Sequence, residues 1–166
     1  ELFETCLELW QEGYIFKLNI AGEIDKENKS SLTKKELINI SQNENIVFNG
    51  KVSNMKAIYA KADIVVLPSW REGLSKSLIE AASMSLPIIT TNVPGCREII
   101  KNNINGILIP PRNKFLLKKA LKKLIKNPEL GIKYGSKARA IVKDKFELSI
   151  INNQIFDIYK ELIYKA

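Results

Sequence analysis

At 166 residues and 45% hydrophobic content, the chain is long enough for one α/β domain with a full apolar core, spanning residues 1–166. No stretch approaches the ~18 uninterrupted apolar residues of a membrane span. The opening ELFETCLELWQEG has neither the basic flank nor the apolar run of a signal peptide, so a soluble, cytoplasmic protein is expected. The net charge of +8 comes from lysines spread along helical faces with few interleaved aromatics, a pattern that argues against nucleic acid and suits an accessory role toward anionic ligands or lipid surfaces.

The chain contains no histidine, which excludes serine–histidine or cysteine–histidine catalysis carried within it. Cys6 and Cys96 lie far apart without CxxC spacing, so neither a metal site nor a disulfide framework is indicated and each is expected to be a small buried residue. Neither metal nor cofactor is expected.

Helical periodicity alternates with short apolar runs, the pattern of a doubly wound parallel sheet with helices on both faces. A first helix is predicted over residues 1–13, with Leu2, Phe3, Cys6, Leu7 and Trp10 at helical spacing and Gly13 as its stop. A strand follows from Ile15 to Ala21, closed by Gly22, and a polar loop from Glu23 to Ser31 leads to a helix over Thr33–Ile40. Ile46–Asn49 forms the next strand, Gly50 turns the chain toward a short helix at Met55–Lys61, and Ile64–Leu67 is a buried strand that Pro68 stops. A helix over Ser75–Met84 precedes a strand at Ile88–Thr91. Pro94-Gly95 is expected as a turn, Arg97–Lys101 as a helix and Ile107–Ile109 as the last strand. The rest is helical, over Lys114–Lys126, Glu129–Lys145 and Ser149–Tyr164, with Asn127-Pro128 separating the first two.

In the first of these closing helices, Phe115, Leu116, Ala120, Leu121, Leu124 and Ile125 are expected to pack on the sheet while the lysines between them stay in water. Contact with an anionic membrane is the alternative for that helix. Trp10 and Trp70 are expected to be packing residues.

Ligands of open parallel sheets bind beyond the carboxyl ends of the strands, where loops run into helix N-termini. The segment PSWREGLSKSLIEA has this form: it leaves a strand at Leu67 and enters a helix near Ser75. Gly73 can adopt backbone angles closed to other residues and turn its amide, with those of Leu74 and Ser75, toward a ligand. The first amides of a helix lack internal partners and carry partial positive charge, which favours a phosphate, and Lys76 adds a full charge beside it.

Glu72 and Glu80 flank this anion site. Carboxylates accept paired hydrogen bonds from vicinal diols, so an anion cradle between two of them describes a nucleoside diphosphate sugar, the ribose on one glutamate and the hexose on the other. The plain alternative is a loop carboxylate at Glu72 and a solvated helix residue at Glu80. Arg97 and Glu98 are weighed similarly, between contact with the donor and pairing at a helix start.

The segment PSWREGLSKSLIEAASMSLPIITTNVPGCREII, followed by NGILIPPRN, closely resembles the signature region of family 4 retaining glycosyltransferases of the GT-B fold, including its pair of glutamates separated by seven residues. It looks most like members that extend bacterial surface polysaccharides, such as capsule and lipopolysaccharide, and lipid-linked oligosaccharides. The resemblance implies that Glu72 binds the donor-sugar hydroxyls at the reacting centre and Glu80 the ribose diol. It also implies that the amides of Gly73, Leu74 and Ser75 face the sugar and diphosphate, that Gly50-Lys51-Val52 lies against the nucleobase with the Val52 backbone hydrogen-bonded to it, and that Gly22 lines the same cleft.

The family's diphosphate-neutralising arginine and lysine, on the first strand of this domain, have no counterpart in the sequence, nor does the histidine of the N-terminal acceptor domain. The chain is therefore expected to be a donor-binding fragment, inactive alone, whose tail 147–166 packs on the N-terminal domain. The implied reaction is metal-independent hexosyl transfer from a nucleotide sugar, a UDP-sugar in the first instance, to a hydroxyl of a glycan or lipid-linked acceptor. An epimerase or phosphorylase of the same architecture, or a non-catalytic nucleotide-binding module, is the alternative.

Overall fold

The structure is a computed structural model that describes residues 1–23 and 33–164. Beyond Glu23, the loop expected up to Ser31 lies outside the described residues. The chain separates into two compact units, Glu1–Ala57 and Ile58–Ala166.

The first unit opens with α1 (Leu2–Gln11), whose Thr5, Cys6 and Leu9 turn inward. Gly13, at φ 86°, ends this helix with paired bonds from its own amide to the Trp10 carbonyl (2.9 Å) and from the Tyr14 amide to the Leu9 carbonyl (3.0 Å), which satisfy carbonyls that the helix leaves open. The Trp10 indole donates to the Phe16 carbonyl at 3.0 Å and packs on the Phe16 ring, as a packing residue should. β1 (Leu18–Ile20) pairs in parallel with β2 (Ile46–Phe48), matching Leu18 to Ile46 and Ile20 to Phe48. Between them α2 (Lys34–Ser41) starts at a reciprocal cap: Thr33 Oγ1 accepts from the Glu36 amide, and the Glu36 carboxylate accepts from the Thr33 amide at 2.8 Å. The boundary between the units falls inside α3 (Met55–Tyr59).

In the second unit β3 (Val65–Leu67), β4 (Ile88–Thr91) and β5 (Ile107–Ile109) form a parallel sheet in the order β3-β4-β5. The central strand reads Ile-Ile-Thr-Thr and is buried throughout, as expected for a parallel strand covered on both faces. Against it pack Leu78, Ala81 and Ala82 of α4 (Lys76–Ser83), Ile99 and Ile100, and Leu117, Ala120, Leu121 and Leu124 of α6 (Lys114–Ile125). Each large side chain withdrawn from water in this way contributes roughly 1.5–3 kcal/mol. The buried Asn105 accepts from the Lys101 amide at 2.6 Å and donates to the Ile99 carbonyl at 2.9 Å, tying the loop before β5 to the core.

Two expectations need correction. Pro94-Gly95 opens α5 (Pro94–Arg97) rather than forming a free turn, because a proline at the first helical position loses no hydrogen bond and already has the helical φ. The helix expected at Arg97–Lys101 accordingly lies earlier. In α6 the inward stripe is Leu117, Ala120, Leu121 and Leu124, whereas Phe115 is 75% exposed. The correct stripe follows the i, i+3, i+4, i+7 spacing, and Phe115 lies two residues beyond the Asn113 cap, where the helix has only begun.

α7 (Pro128–Phe146) lies along α4, with the Arg139 guanidinium donating to the Ser83 carbonyl at 2.5 Å at the negative end of α4. A Cβ built on Gly135 would stand 1.9 Å from the Ser85 carbonyl oxygen, so the approach of the two helices requires the missing side chain. α8 (Leu148–Tyr164) buries none of its residues; Phe156, Tyr159, Leu162 and Ile163 are all exposed. No described helix is long and apolar enough to cross a membrane. Gly135→Ala is expected to push α7 off Ser85 and to lower the free energy of unfolding by about 1–3 kcal/mol, read from urea denaturation; unchanged stability would show that the helix contact is not tight.

Candidate functional site

β3 ends at Leu67 because Pro68 has no N–H to continue the ladder. The chain then crosses from Ser69 to Leu74 and enters α4 through Ser75, whose backbone is extended (φ −76°, ψ 104°) and whose hydroxyl meets that of Ser77 at 3.1 Å instead of capping an amide. The first amides of α4 are thus left without a side-chain cap, at the positive end of the helix, which is the geometry that receives an anion. Gly73 and Leu74, immediately before, are exposed. Gly73 does not take the left-handed φ that the sequence suggested, and a Cβ built on it would meet no atom within 4 Å, so neither backbone angle nor packing calls for glycine there.

Glu72 is half-buried, and its Oε1 accepts a 2.7 Å hydrogen bond from the Ser69 hydroxyl. The backbone beneath it is held from the neighbouring strand: Thr90 Oγ1 donates to the Leu67 carbonyl at 2.7 Å and Thr91 Oγ1 to the Ser69 carbonyl. Gly95, in the first turn of α5, lies directly against the Gly73 carbonyl, with the Glu72 carbonyl next to it.

Glu80 stands one turn inside α4. Its Oε2 lies 3.4 Å from the Tyr59 hydroxyl, which also donates to the Ser77 carbonyl at 3.2 Å, and its Oε1 lies 3.7 Å from the Lys76 ammonium. Burial, and then the Glu80 carboxylate, push the Tyr59 phenol up to about 12, so Tyr59 stays neutral and keeps its proton for donation. Lys76, assigned by sequence to a phosphate, instead rests on Glu80 in an exposed i, i+4 pair, a contact of about 0–1 kcal/mol that a ligand can displace.

The remaining sequence-assigned residues belong to the first unit. Gly22 and Gly50 take left-handed φ values of 145° and 60°, and the Gly22 amide donates to the Gly50 carbonyl at 2.9 Å, bringing the carboxyl ends of β1 and β2 together. Val52 follows, half-buried. Arg97 and Glu98 are exposed at the end of α5.

Sequence reasoning did not find Tyr59, Ser69, Thr91 or Gly95. A serine three residues before Glu72 was the available signal for Ser69; the others depend on contacts distant in sequence. Trp70, expected to pack inside, is 52% exposed and carries the Arg112 guanidinium 4.1 Å from its ring centroid, so its partner is a cation on the turn after β5. Cys6 and Cys96 are buried and free as expected, and burial pushes the Cys6 thiol up to about 11 and that of Cys96 upward, leaving both as unreactive thiols. No group of three metal-ligating side chains occurs among the described residues.

The sequence profile of the family described as "Glycosyl transferases group 1" matches residues 1–141. The chain is 28% identical over 166 residues to the capsular polysaccharide biosynthesis glycosyltransferase CapM of Staphylococcus aureus, covering all of this chain and 43% of CapM; it therefore spans less than half the length of that relative. Among solved structures it superposes on a glycosyltransferase from Rickettsia africae with a TM-score of 0.85 at 26% identity, over 99% of this chain and 44% of that one. HepE from Anabaena, solved in complex with UDP, superposes with a TM-score of 0.80 at 19% identity, over 88% of this chain and 41% of that one. With its parallel α/β architecture, the chain belongs to the group 1 family of glycosyl transferases and has the fold of GT-B enzymes.

Proposed function

We propose that this chain supplies the nucleotide-sugar site of a retaining hexosyltransferase that works in polysaccharide or glycolipid synthesis, with a uridine diphosphate sugar as donor and a hydroxyl of a glycan or lipid-linked glycan as acceptor. The observation that carries this reading is the pair of carboxylates on either side of the uncapped N-terminus of α4, each beside a hydroxyl, Ser69 for Glu72 and Tyr59 for Glu80. The capsular role in the name of CapM and the UDP in the HepE structure support the pathway and the nucleotide.

On this reading the amides of Gly73 and Leu74 face the sugar, and the diphosphate lies on the Ser75 amide and the first turn of α4, where Lys76 is free to leave Glu80 and add its charge. Glu80 accepts from the ribose diol and Glu72 from the sugar hydroxyls. The bond from the anomeric carbon to the phosphate oxygen breaks with its electron pair on the diphosphate. The acceptor oxygen bonds to the same face of that carbon, and its proton passes to the departing phosphate. Amides aimed at the developing charge lower the barrier, and no protein nucleophile or metal enters.

The whole of 1–166 acts as the donor domain in the cytoplasm. The exposed apolar residues of α8, including Phe156, Leu162 and Ile163, are covered by the acceptor domain that the longer relatives have room for, and the isolated chain is inactive.

Calorimetric titration with UDP and with UDP-sugars tests the assignment. Glu80→Ala is expected to weaken UDP about 30-fold, the loss of about 2 kcal/mol for charge-assisted hydrogen bonds to the ribose. Glu72→Ala should leave UDP untouched and remove only the extra affinity of the sugar. Equal effects of both variants on UDP would reject the division of labour, and the absence of any nucleotide affinity in either the chain or a longer form would reject the reading. Tyr59→Phe, which takes away one hydrogen bond to Glu80, is expected to weaken UDP about fivefold, corresponding to about 1 kcal/mol; no change would mean that α4 alone orients Glu80.

A further inference from the structure

The β3–β4 ladder ends where Leu67 pairs with Thr90, so Ser69 lies beyond the last paired residue. The side chain of Thr91 continues the ladder there: its buried hydroxyl donates to the Ser69 carbonyl. Ser69 thereby loses its backbone freedom and presents its own hydroxyl to Glu72 Oε1 at 2.7 Å, a short bond to a charged acceptor. From the other side, a Cβ built on Gly95 would stand 1.3 Å from the Gly73 carbonyl oxygen, 2.3 Å from its carbon and 2.8 Å from the Glu72 carbonyl oxygen. All three are backbone atoms, so no side-chain rotation relieves the overlap and any residue larger than glycine displaces the Glu72–Gly73 segment. Gly95 has no left-handed φ, so only space calls for glycine here.

The contact also sets a direction. In a planar trans peptide the carbonyl and the following N–H point opposite ways, and with the Gly73 carbonyl turned to Gly95 the Leu74 N–H faces away from α5. The 57% exposure of the Leu74 side chain agrees with an open position there.

We propose that Ser69, Thr91 and Gly95 are positioning residues that fix the Glu72 carboxylate and the Leu74 amide for the donor sugar, setting sugar recognition separately from nucleotide recognition. The inference rests on the donor-site reading above. None of the three touches the reacting atoms; they act through Glu72 and the peptide that follows it.

The test titrates the protein with UDP-glucose, UDP-galactose, UDP-N-acetylglucosamine and GDP-mannose, each against its own nucleoside diphosphate, in the parent, Glu72→Ala, Ser69→Ala, Ser69→Thr and Gly95→Ala. The affinity added by the sugar is expected to fall about tenfold in Ser69→Ala, to return in Ser69→Thr, which keeps the hydroxyl, and to fall at least as far in Gly95→Ala, with nucleoside diphosphate affinity unchanged throughout. If Gly95→Ala loses its cooperative melting, the two Ser69 variants decide. A sugar increment lost in Glu72→Ala but kept in Ser69→Ala and Gly95→Ala overturns the positioning role and leaves the donor-site reading standing. Loss of nucleoside diphosphate affinity along with the sugar makes the loop a general support and overturns the inference. An increment absent from the parent, or present but insensitive to Glu72→Ala, overturns the reading on which it rests.

Discussion

The burial of β4 is the constraint on which the second unit depends. Ile88 and Ile89 have no accessible surface, and their strand pairs with β3 on one side and β5 on the other and is covered by helices, which fixes it against sliding or tilting. At its carboxyl end the strand changes from isoleucine to threonine while keeping the β-branched shape that suits a strand. The change adds two hydroxyls in a place where water does not reach, and a buried hydroxyl must find a partner. Both find one on the backbone leaving β3, at Leu67 and Ser69. The rigidity of the core is thus carried by hydrogen bonds into a loop that would otherwise have none of the sheet's order.

The two glutamates are held by different parts of this frame. Glu80 is a helix residue, and its place follows from α4 docking Leu78, Ala81 and Ala82 into the core; Tyr59 adds an uncharged donor from outside the helix. Glu72 belongs to no element, and a glutamate in a loop has several rotamers to lose. Its order comes from Ser69 at one end and the packing of its own peptide on Gly95 at the other. A helix carboxylate varies little as a sequence drifts, whereas one supported by a loop shifts with each change in the loop. Such an arrangement suits a constant group at Glu80 and a variable one at Glu72, as ribose and sugar would be on the proposed reading.

Elements formed by local rules were legible in the sequence. Strands β4 and β5 have the expected bounds, Gly13 ends α1, and Asn127-Pro128 divides α6 from α7. Each depends on residues within about one turn of one another, where propensity and capping act. The placement of Glu72 in a loop and Glu80 in the helix after it was legible for the same reason, while their roles toward a donor come from the resemblance and belong to the proposed reading. The errors fall where local signals compete. Pro94-Gly95 satisfies the chemistry of a turn and that of a helix start, and only the requirement for a glycine against Gly73 separates them. Phe115 fits the apolar pattern by type but sits at the first turn of α6, where the stripe has not yet met the sheet. The roles of Tyr59, Thr91 and Gly95 depend on partners 18 to 23 residues away in the chain, and spacing carries no trace of them.

Charge follows a similar division. Most of the described lysines lie on helices, and Lys76 is one of them, 89% exposed with its ammonium on Glu80. A lysine N-terminal to a glutamate at i, i+4 is the weaker orientation of such a pair, because each charge faces the wrong end of the helix dipole. The dipole at the start of α4 instead favours a negative charge, and the protein supplies none there: Ser75 leaves the amides uncapped and no acidic residue stands in the first turn. Dipole and side-chain-uncapped amides therefore coincide at one point, beside a lysine held only by a weak i, i+4 pair. On the proposed reading a diphosphate meets lysine, dipole and amides together, and this is the physical ground for proposing the start of α4, rather than the lysine-rich faces of α6 and α7, as the place where the positive charge of this chain acts.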